Sequence, residues 1–338
     1  MTDLVAAARS LVASPKGILA ADESVPTATK RLASYGIATS EEIRRQYRDL
    51  FLGAPGIEEY LTGVILFEET FGQKGDDKRR FPDSLAARRI APGIKVDQGT
   101  EPFPENAGSS NLDSAEFITK GLIGLPERLA AFNSDGAVFA KWRAVLRIEG
   151  SMLPSSAAIH ENAKRLANYA KEAQAAGLVP IVEPEVLLAG THSRTRAQAV
   201  IEETLGTLFA VLAEHAVDIA GLLLKTSMAR SGDDSPRKDT PEEVAEATLA
   251  ALTKSVPKQV AGILFLSGGE SPDEATENLA AITRLAHEQQ APWPLTFSFA
   301  RALQDEALLM WQGKKENVPA ARAAFLARLA KVCAALAS

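Results

Sequence analysis

Eight short apolar runs, each followed by a longer amphipathic stretch, restrict most strongly what this chain can fold into. They occupy residues 17–22 (GILAAD), 63–69 (GVILFEE), 92–97 (PGIKVD) and 136–143 (GAVFAKWR), then 178–186 (LVPIVEPEV), 221–228 (GLLLKTSM), 262–269 (GILFLSGG) and 295–301 (LTFSFAR). Nearly continuous apolar runs are what strands covered on both faces require. Most begin at or beside a glycine, which suits a tight turn from helix into strand. Successive runs start about 29 to 46 residues apart, room for a helix and two loops each time. Between them, Thr240-Pro241-Glu242-Glu243 and Ser271-Pro272-Asp273-Glu274 each read as a helix start, with a capping hydroxyl, proline at the first helical position and acids in the first turn. Residues 161–176 and 197–215 repeat apolar side chains at three-and-four spacing. No repeat, linker or composition break divides the 338 residues. Eight strand–helix units predict an α/β protein: one (β/α)8 TIM barrel spanning residues 1–338, with a C-terminal helical segment. An open doubly wound sheet is the alternative, but the glycine fingerprint of its dinucleotide-binding forms is absent after every run.

Composition removes several function classes. Thirty-seven basic against forty-three acidic residues leave a net charge of −6 without a block of one sign, which argues against a nucleic-acid partner. No segment reaches the ~18 apolar residues of a membrane helix and the N-terminus carries no signal-length apolar run, so the expected partner is not a membrane and the expected location is cytoplasmic. Cys333, the single cysteine, cannot form an internal disulfide. His160, His192, His215 and His287 are scattered without ligand spacing, so neither a metal nor another cofactor is expected.

The runs start apolar and most gain polar groups towards their C-terminal ends: Asp22, Glu68, Lys95, Lys141 with Arg143, Glu183 with Glu185, Lys225, Ser267 and Arg301. In a barrel these ends form one rim, where active sites of this architecture sit. Strand alternation puts Lys141 and Arg143 on one face with Trp142 on the other, and Glu183 with Glu185 on either side of Pro184. Lys225 follows Gly-Leu-Leu-Leu in a central strand, an unusual place for a side chain rarely buried without a partner. At a reference pKa of about 10.4, roughly one amine in 2500 is neutral at pH 7, a deficit of about 4.6 kcal/mol that burial and a neighbouring cation can reduce. Two readings stand: a Schiff-base nucleophile with Lys141 as the nearby cation, or a structural ion pair with Glu183 or Glu185. In Ser267-Gly268-Gly269-Glu270 two glycines let backbone amides approach an anion at the following helix start, and Arg301 adds a bidentate donor. Lys95, Arg143 and Lys30-Arg31 offer a second group of cations, which together favour a doubly anionic small substrate.

These residues resemble class I, Schiff-base-forming fructose-bisphosphate aldolases, from about Leu11 to near Ala330. The resemblance rests on KGILAADES (16–24), PGIKVD (92–97), Lys141-Trp142-Arg143, VEPE (182–185), Leu223-Leu224-Lys225, FLSGG (265–269), FSFARAL (297–303) and GKKEN (313–317), in order and at matching spacing. It implies a (β/α)8 barrel, a phosphorylated ketose as substrate, and a homotetramer. It also implies that Lys225 forms the imine, Glu183 with Glu185 beside it serves as acid and base, Asp22 removes the hydroxyl proton, and Lys141 assists. Ser267, Gly268, Gly269, Ser298 and Arg301 would hold one phosphate; Arg31, Arg44, Lys95 and Arg143 would lie near the other. The implied reaction is reversible cleavage of fructose 1,6-bisphosphate into dihydroxyacetone phosphate and glyceraldehyde 3-phosphate. A transaldolase-like transferase acting on monophosphates, and a non-catalytic barrel serving as a binding scaffold, are the competing readings. The chain departs from the family pattern at Ala220-Gly221 (usually Glu-Gly), at Thr226-Ser227 (usually Pro-Asn) and at Gln98 (often lysine). Its last tyrosine is Tyr169, so the tyrosine-ending tail of many members is expected to be missing.

Overall fold

The computed structural model describes residues 3–103 and 116–337. All eight apolar runs become strands: β1 (Gly17–Ala21), β2 (Leu61–Leu66), β3 (Ala91–Lys95), β4 (Phe139–Leu146), β5 (Val179–Val186), β6 (Leu223–Thr226), β7 (Gly262–Phe265) and β8 (Leu295–Phe299). They pair in parallel, each with its neighbours in sequence, and β8 closes onto β1 through Ile18 and Ser298. Some bounds move inwards or along the chain. The second run ends as a strand at Leu66, and Glu68 instead opens a short helix, Glu68–Gly72. The fourth run starts at Phe139 rather than at Gly136, whose φ of +101° belongs to the turn before it.

Each strand divides its side chains by parity. On β4, Phe139, Lys141 and Arg143 face one way, while Trp142 faces the other and stacks on Tyr169 of the helix Ser156–Ala175, with ring centroids 5.5 Å apart. The outward set packs against the surrounding helices in one large core, and the inward set forms a smaller apolar plug of Ile18, Ile65, Phe139, Ile181, Leu223 and Leu264. Phe139 occupies the barrel floor because β3 has glycine beside it: a Cβ on Gly93 would lie 2.1 Å from the ring. The N-terminal helix Leu4–Leu11, capped by the Asp3 carboxylate, adds Ala8, Leu11 and Val12 to the same plug. The barrel is therefore closed at its N-terminal end and open at the other.

The two helix starts read from sequence are complete capping boxes. Thr240 and Glu243 exchange side-chain and backbone hydrogen bonds at the head of Pro241–Ser255, and Ser271 and Glu274 do the same for Pro272–Glu288. The C-terminal segment forms Arg301–Trp311 and Val318–Ala335, and the second packs Phe325 edge-on against Phe51 of the helix Glu41–Leu52. Among the described residues no helix is long and apolar enough to cross a membrane.

Candidate active site

Parity that gives an apolar floor also gives a charged mouth. One turn of pleat beyond Phe139 the inward positions of β4 are Lys141 and Arg143; beyond Ile181 those of β5 are Glu183 and Glu185; beyond Leu223 that of β6 is Lys225. Together with Asp22 after β1, Lys95 and Asp97 at the end of β3, and Ser298 of β8, they line a cavity of about 610 Å³ at the C-terminal end of the barrel.

At its inner wall four charged groups form one chain. The Lys225 ammonium lies 2.9 Å from Glu183 Oε1; Glu183 Oε2 is 3.1 Å from the Lys141 ammonium; Lys141 is 2.6 Å from Asp22 Oδ2. Lys225, Lys141 and Glu183 each expose 4% or less of their surface, so these charges are held by one another and not by solvent. Burial alone would favour neutral Asp22, but the charges of Lys141 and then Lys225 outweigh it and hold the carboxyl far below the usual range. Burial likewise opposes ionisation of Glu183, and Lys141, then Lys225 and Arg143, reverse it. Lys141 is destabilised as a cation by burial, yet Asp22 and Glu183 lift it well above an ordinary lysine. Lys141 is thus a permanent ammonium. The two sequence readings of Lys225 meet here, since its ion-pair partner is itself a carboxylate lining the cavity.

Around this chain the other positions fall into two groups. Lys95 is clamped by Asp97, through the carboxylate at 2.6 Å and the backbone carbonyl at 2.8 Å. Arg143 pairs with Glu185, so the Glu185 carboxylate is engaged by the guanidinium, away from Lys225. Across the cavity stand Ser267, Gly268, Ser298 and Arg301. Ser298 is 1% exposed, and its hydroxyl has no hydrogen-bond partner among the described residues. Gly269 sits behind this wall, so close to Arg301 that a Cβ would fall 3.0 Å from the guanidinium.

Arg31 and Arg44 do not line the cavity. Arg31 is held by Glu23 at 2.5 Å and Asp305 at 2.7 Å, and Arg44 by Glu69 at 2.5 Å. Both are arginines on helices outside the barrel, where the nearest carboxylates of neighbouring segments capture them. Three charged lining residues escaped the sequence reading: Asp97, Glu23 and Arg128. Asp97 was discoverable, because it lies two residues from Lys95 on an extended segment and so shares its face. Glu23 was not, because Arg48 grips both its carboxylate and its backbone carbonyl from a helix 25 residues later. Burial of Glu23 is outweighed by Arg48 and then Arg31, which bring its carboxyl to about 2. Arg128 reaches the cavity from the helix Leu125–Ser134 by donating to the Val96 carbonyl at 2.9 Å.

Comparison with known proteins bears on the whole chain. Residues 3–338 match the family model described as "Glycolytic: Fructose-bisphosphate aldolase class-I". The chain is 48% identical over 326 residues to cytosolic fructose-bisphosphate aldolase 6 of Arabidopsis thaliana, covering 96% of this chain and 88% of that protein. It is 48% identical over 330 residues to the fructose-bisphosphate aldolase of Schistosoma mansoni, covering 97% and 88%. Among solved structures, fructose-bisphosphate aldolase from Plasmodium falciparum, crystallised with TRAP and a small-molecule inhibitor, superposes with a TM-score of 0.93 at 42% identity, covering 98% of this chain and 93% of that one. A barrel whose mouth carries paired lysines on a shared carboxylate, matched along its full length at this identity, belongs to the class I fructose-bisphosphate aldolase family.

Proposed function

We infer that this chain is a lyase that cleaves fructose 1,6-bisphosphate reversibly to dihydroxyacetone phosphate and glyceraldehyde 3-phosphate through an imine on Lys225. The observation that carries the reading is the unbroken chain Lys225–Glu183–Lys141–Asp22 on the inner wall of the cavity. Lys225 passes a proton to Glu183, its nearest acceptor, and the freed amine adds to the ketone carbon. Glu183 then returns a proton to the departing hydroxyl as the carbinolamine loses water and the protonated imine forms. Asp22 takes the proton of the hydroxyl beside the breaking carbon–carbon bond, the aldehyde leaves, and the bonding pair moves into the imine to give an enamine. Protonation of that enamine and hydrolysis release dihydroxyacetone phosphate and restore Lys225. Lys141 stays cationic throughout and stabilises negative charge on Asp22 and Glu183. Glu185 orients Arg143 and is the residue beside the acid–base pair.

Ser267, Gly268, Ser298 and Arg301 are assigned one phosphate, with Gly269 shaping the loop; the bare Ser298 hydroxyl supports that assignment. Lys95 and Arg143 are assigned the other. Arg31 and Arg44 join it only if substrate draws them from their present ion pairs. Two separated cation groups favour a bisphosphate over the monophosphates of a transaldolase. The name of the Arabidopsis thaliana relative supports a cytosolic location, the family resemblance supports a homotetramer of single-domain barrels, and the net charge of −6 weighs against a nucleic-acid partner. The deciding experiment is borohydride trapping with dihydroxyacetone phosphate: one adduct on Lys225, with faster cleavage of the bisphosphate than of fructose 1-phosphate, is expected. Cleavage that proceeds with no trappable adduct would overturn the mechanism.

A further inference from the structure

Behind the assigned phosphate loop lies a carboxylate that the mechanism does not use. Glu270 follows Gly269 and its backbone amide donates to the Ser267 carbonyl at 2.9 Å, closing the turn that contains both loop glycines. Its side chain points away from the cavity into a tight space beside Leu188, Met228, Leu266 and Arg230, and is 1% exposed. There Oε1 accepts a 2.6 Å hydrogen bond from Asn278 and lies 3.4 Å from Arg230 Nη1, whereas Oε2 is buried without a hydrogen-bond partner. A carboxylate with one bare buried oxygen is a poorly satisfied anion, and it is less costly as a neutral acid.

We propose that Glu270 tunes the phosphate affinity of the Ser267–Gly269 loop from behind, so that anion binding at that loop is coupled to proton uptake by its carboxyl. The proposal rests on assigning a phosphate to this loop. Two negative charges on opposite sides of one short turn repel, so the loop holds phosphate better when Glu270 is neutral. Burial pushes the Glu270 carboxyl up to about 7, against the pull of Arg230 and Asn278 and with further help from Glu274. The charged groups facing it are Arg230 from the segment after β6, itself paired with Asp233 at 3.1 Å, and Glu274 in the first turn of Pro272–Glu288; Arg301 lies on the cavity side of the same loop, against Gly269. Leu188, Met228 and Leu266, with Ser227 and Ser267, supply the remaining wall. The sign follows from linkage: the acid is neutral below its raised pKa, so affinity is full on the acidic side and falls as pH rises through 7.

The test is inhibition by inorganic phosphate, with KM for fructose 1,6-bisphosphate in parallel, from pH 6 to 8.5. The full-length protein is compared with E270Q, which keeps the acceptor for Asn278 and has no charge to gain. Ionisation of phosphate itself is common to both proteins and cancels in their ratio. Wild type is expected to weaken about three- to tenfold more than E270Q between pH 6 and 8, with kcat near pH 6 alike in the two. In R230M the cation that lowers the carboxyl is gone, so the inflection is expected to move to higher pH. Parallel pH profiles for wild type and E270Q, or an R230M inflection that stays in place, would overturn the coupling. If instead S267A and R301A leave phosphate inhibition unchanged at every pH, the phosphate assignment itself fails, and the coupling with it.

Discussion

At the scale of single residues, the proposed chemistry depends on a buried amine, Lys225, whose ion-pair partner Glu183 is assigned as its proton acceptor. Lys225→Met fills similar volume without a charge to satisfy, so the fold should persist while cleavage falls by on the order of 10⁴ or more; loss of the borohydride adduct with unchanged circular dichroism checks this. Asp22→Asn separates the steps differently. Lys225, Glu183 and Lys141 remain, so the adduct with dihydroxyacetone phosphate should still form while cleavage of the bisphosphate is lost. An Asp22→Asn protein that cleaves at the wild-type rate would remove Asp22 from the bond-breaking step. Lys225, Lys141, Glu183 and Asp22 were all legible in the sequence because an ionisable side chain at the end of an apolar run has few reasons to be there. Their pairing was not legible, since it depends on which strands stand next to which.

At the scale of elements, the barrel's strands and helices make separate demands. Gly93→Ala places a methyl 2.1 Å from the Phe139 ring, against a floor closed by a packed helix, so the ring must shift. A loss of about 1–3 kcal/mol is expected, read as a lower unfolding midpoint in denaturant. Glu270→Gln acts on the element between β7 and its helix with the opposite sign. The folded-state carboxyl is raised to about 7, so wild type loses stability as pH climbs from the ordinary carboxylate range towards 7. The Gln variant should then be more stable by on the order of 1–3 kcal/mol at pH 8 and equal or weaker near pH 4.5, which thermal melts at the two pH values would show. Both capping boxes were legible to the residue, because a cap is made within four consecutive positions. Strand ends were less so: the run read over residues 63–69 pairs as a strand only to Leu66, and its last two residues, Glu68 and Glu69, already belong to a helix.

At the scale of the molecule, the mouth of an acidic barrel is lined by six cations and six carboxylates, and of the cations Arg128 and Arg301 stand outside any ion pair among the described residues. Exposed charge steers and buried charge binds, so kcat/KM for a bisphosphate should fall with ionic strength while kcat changes little. Stability at low pH has a named contributor. Glu23, brought to about 2 by Arg48 and Arg31, stabilises the fold above the ordinary carboxylate range and loses that contribution as pH falls towards 2. Glu23→Gln should therefore lower the melting temperature at pH 7 and approach wild type as the buffer is acidified. The amino-acid order alone determined the eightfold alternation, the caps and the identity of the charged strand ends, because each follows from spacing within a few residues. The tertiary structure alone decided that Arg31 is spent on Glu23 and Asp305 and Arg44 on Glu69, and that Lys225 and Lys141 share Glu183. Those outcomes are set by distances of a few ångströms between side chains of different elements, which only the packing of those elements against one another brings together.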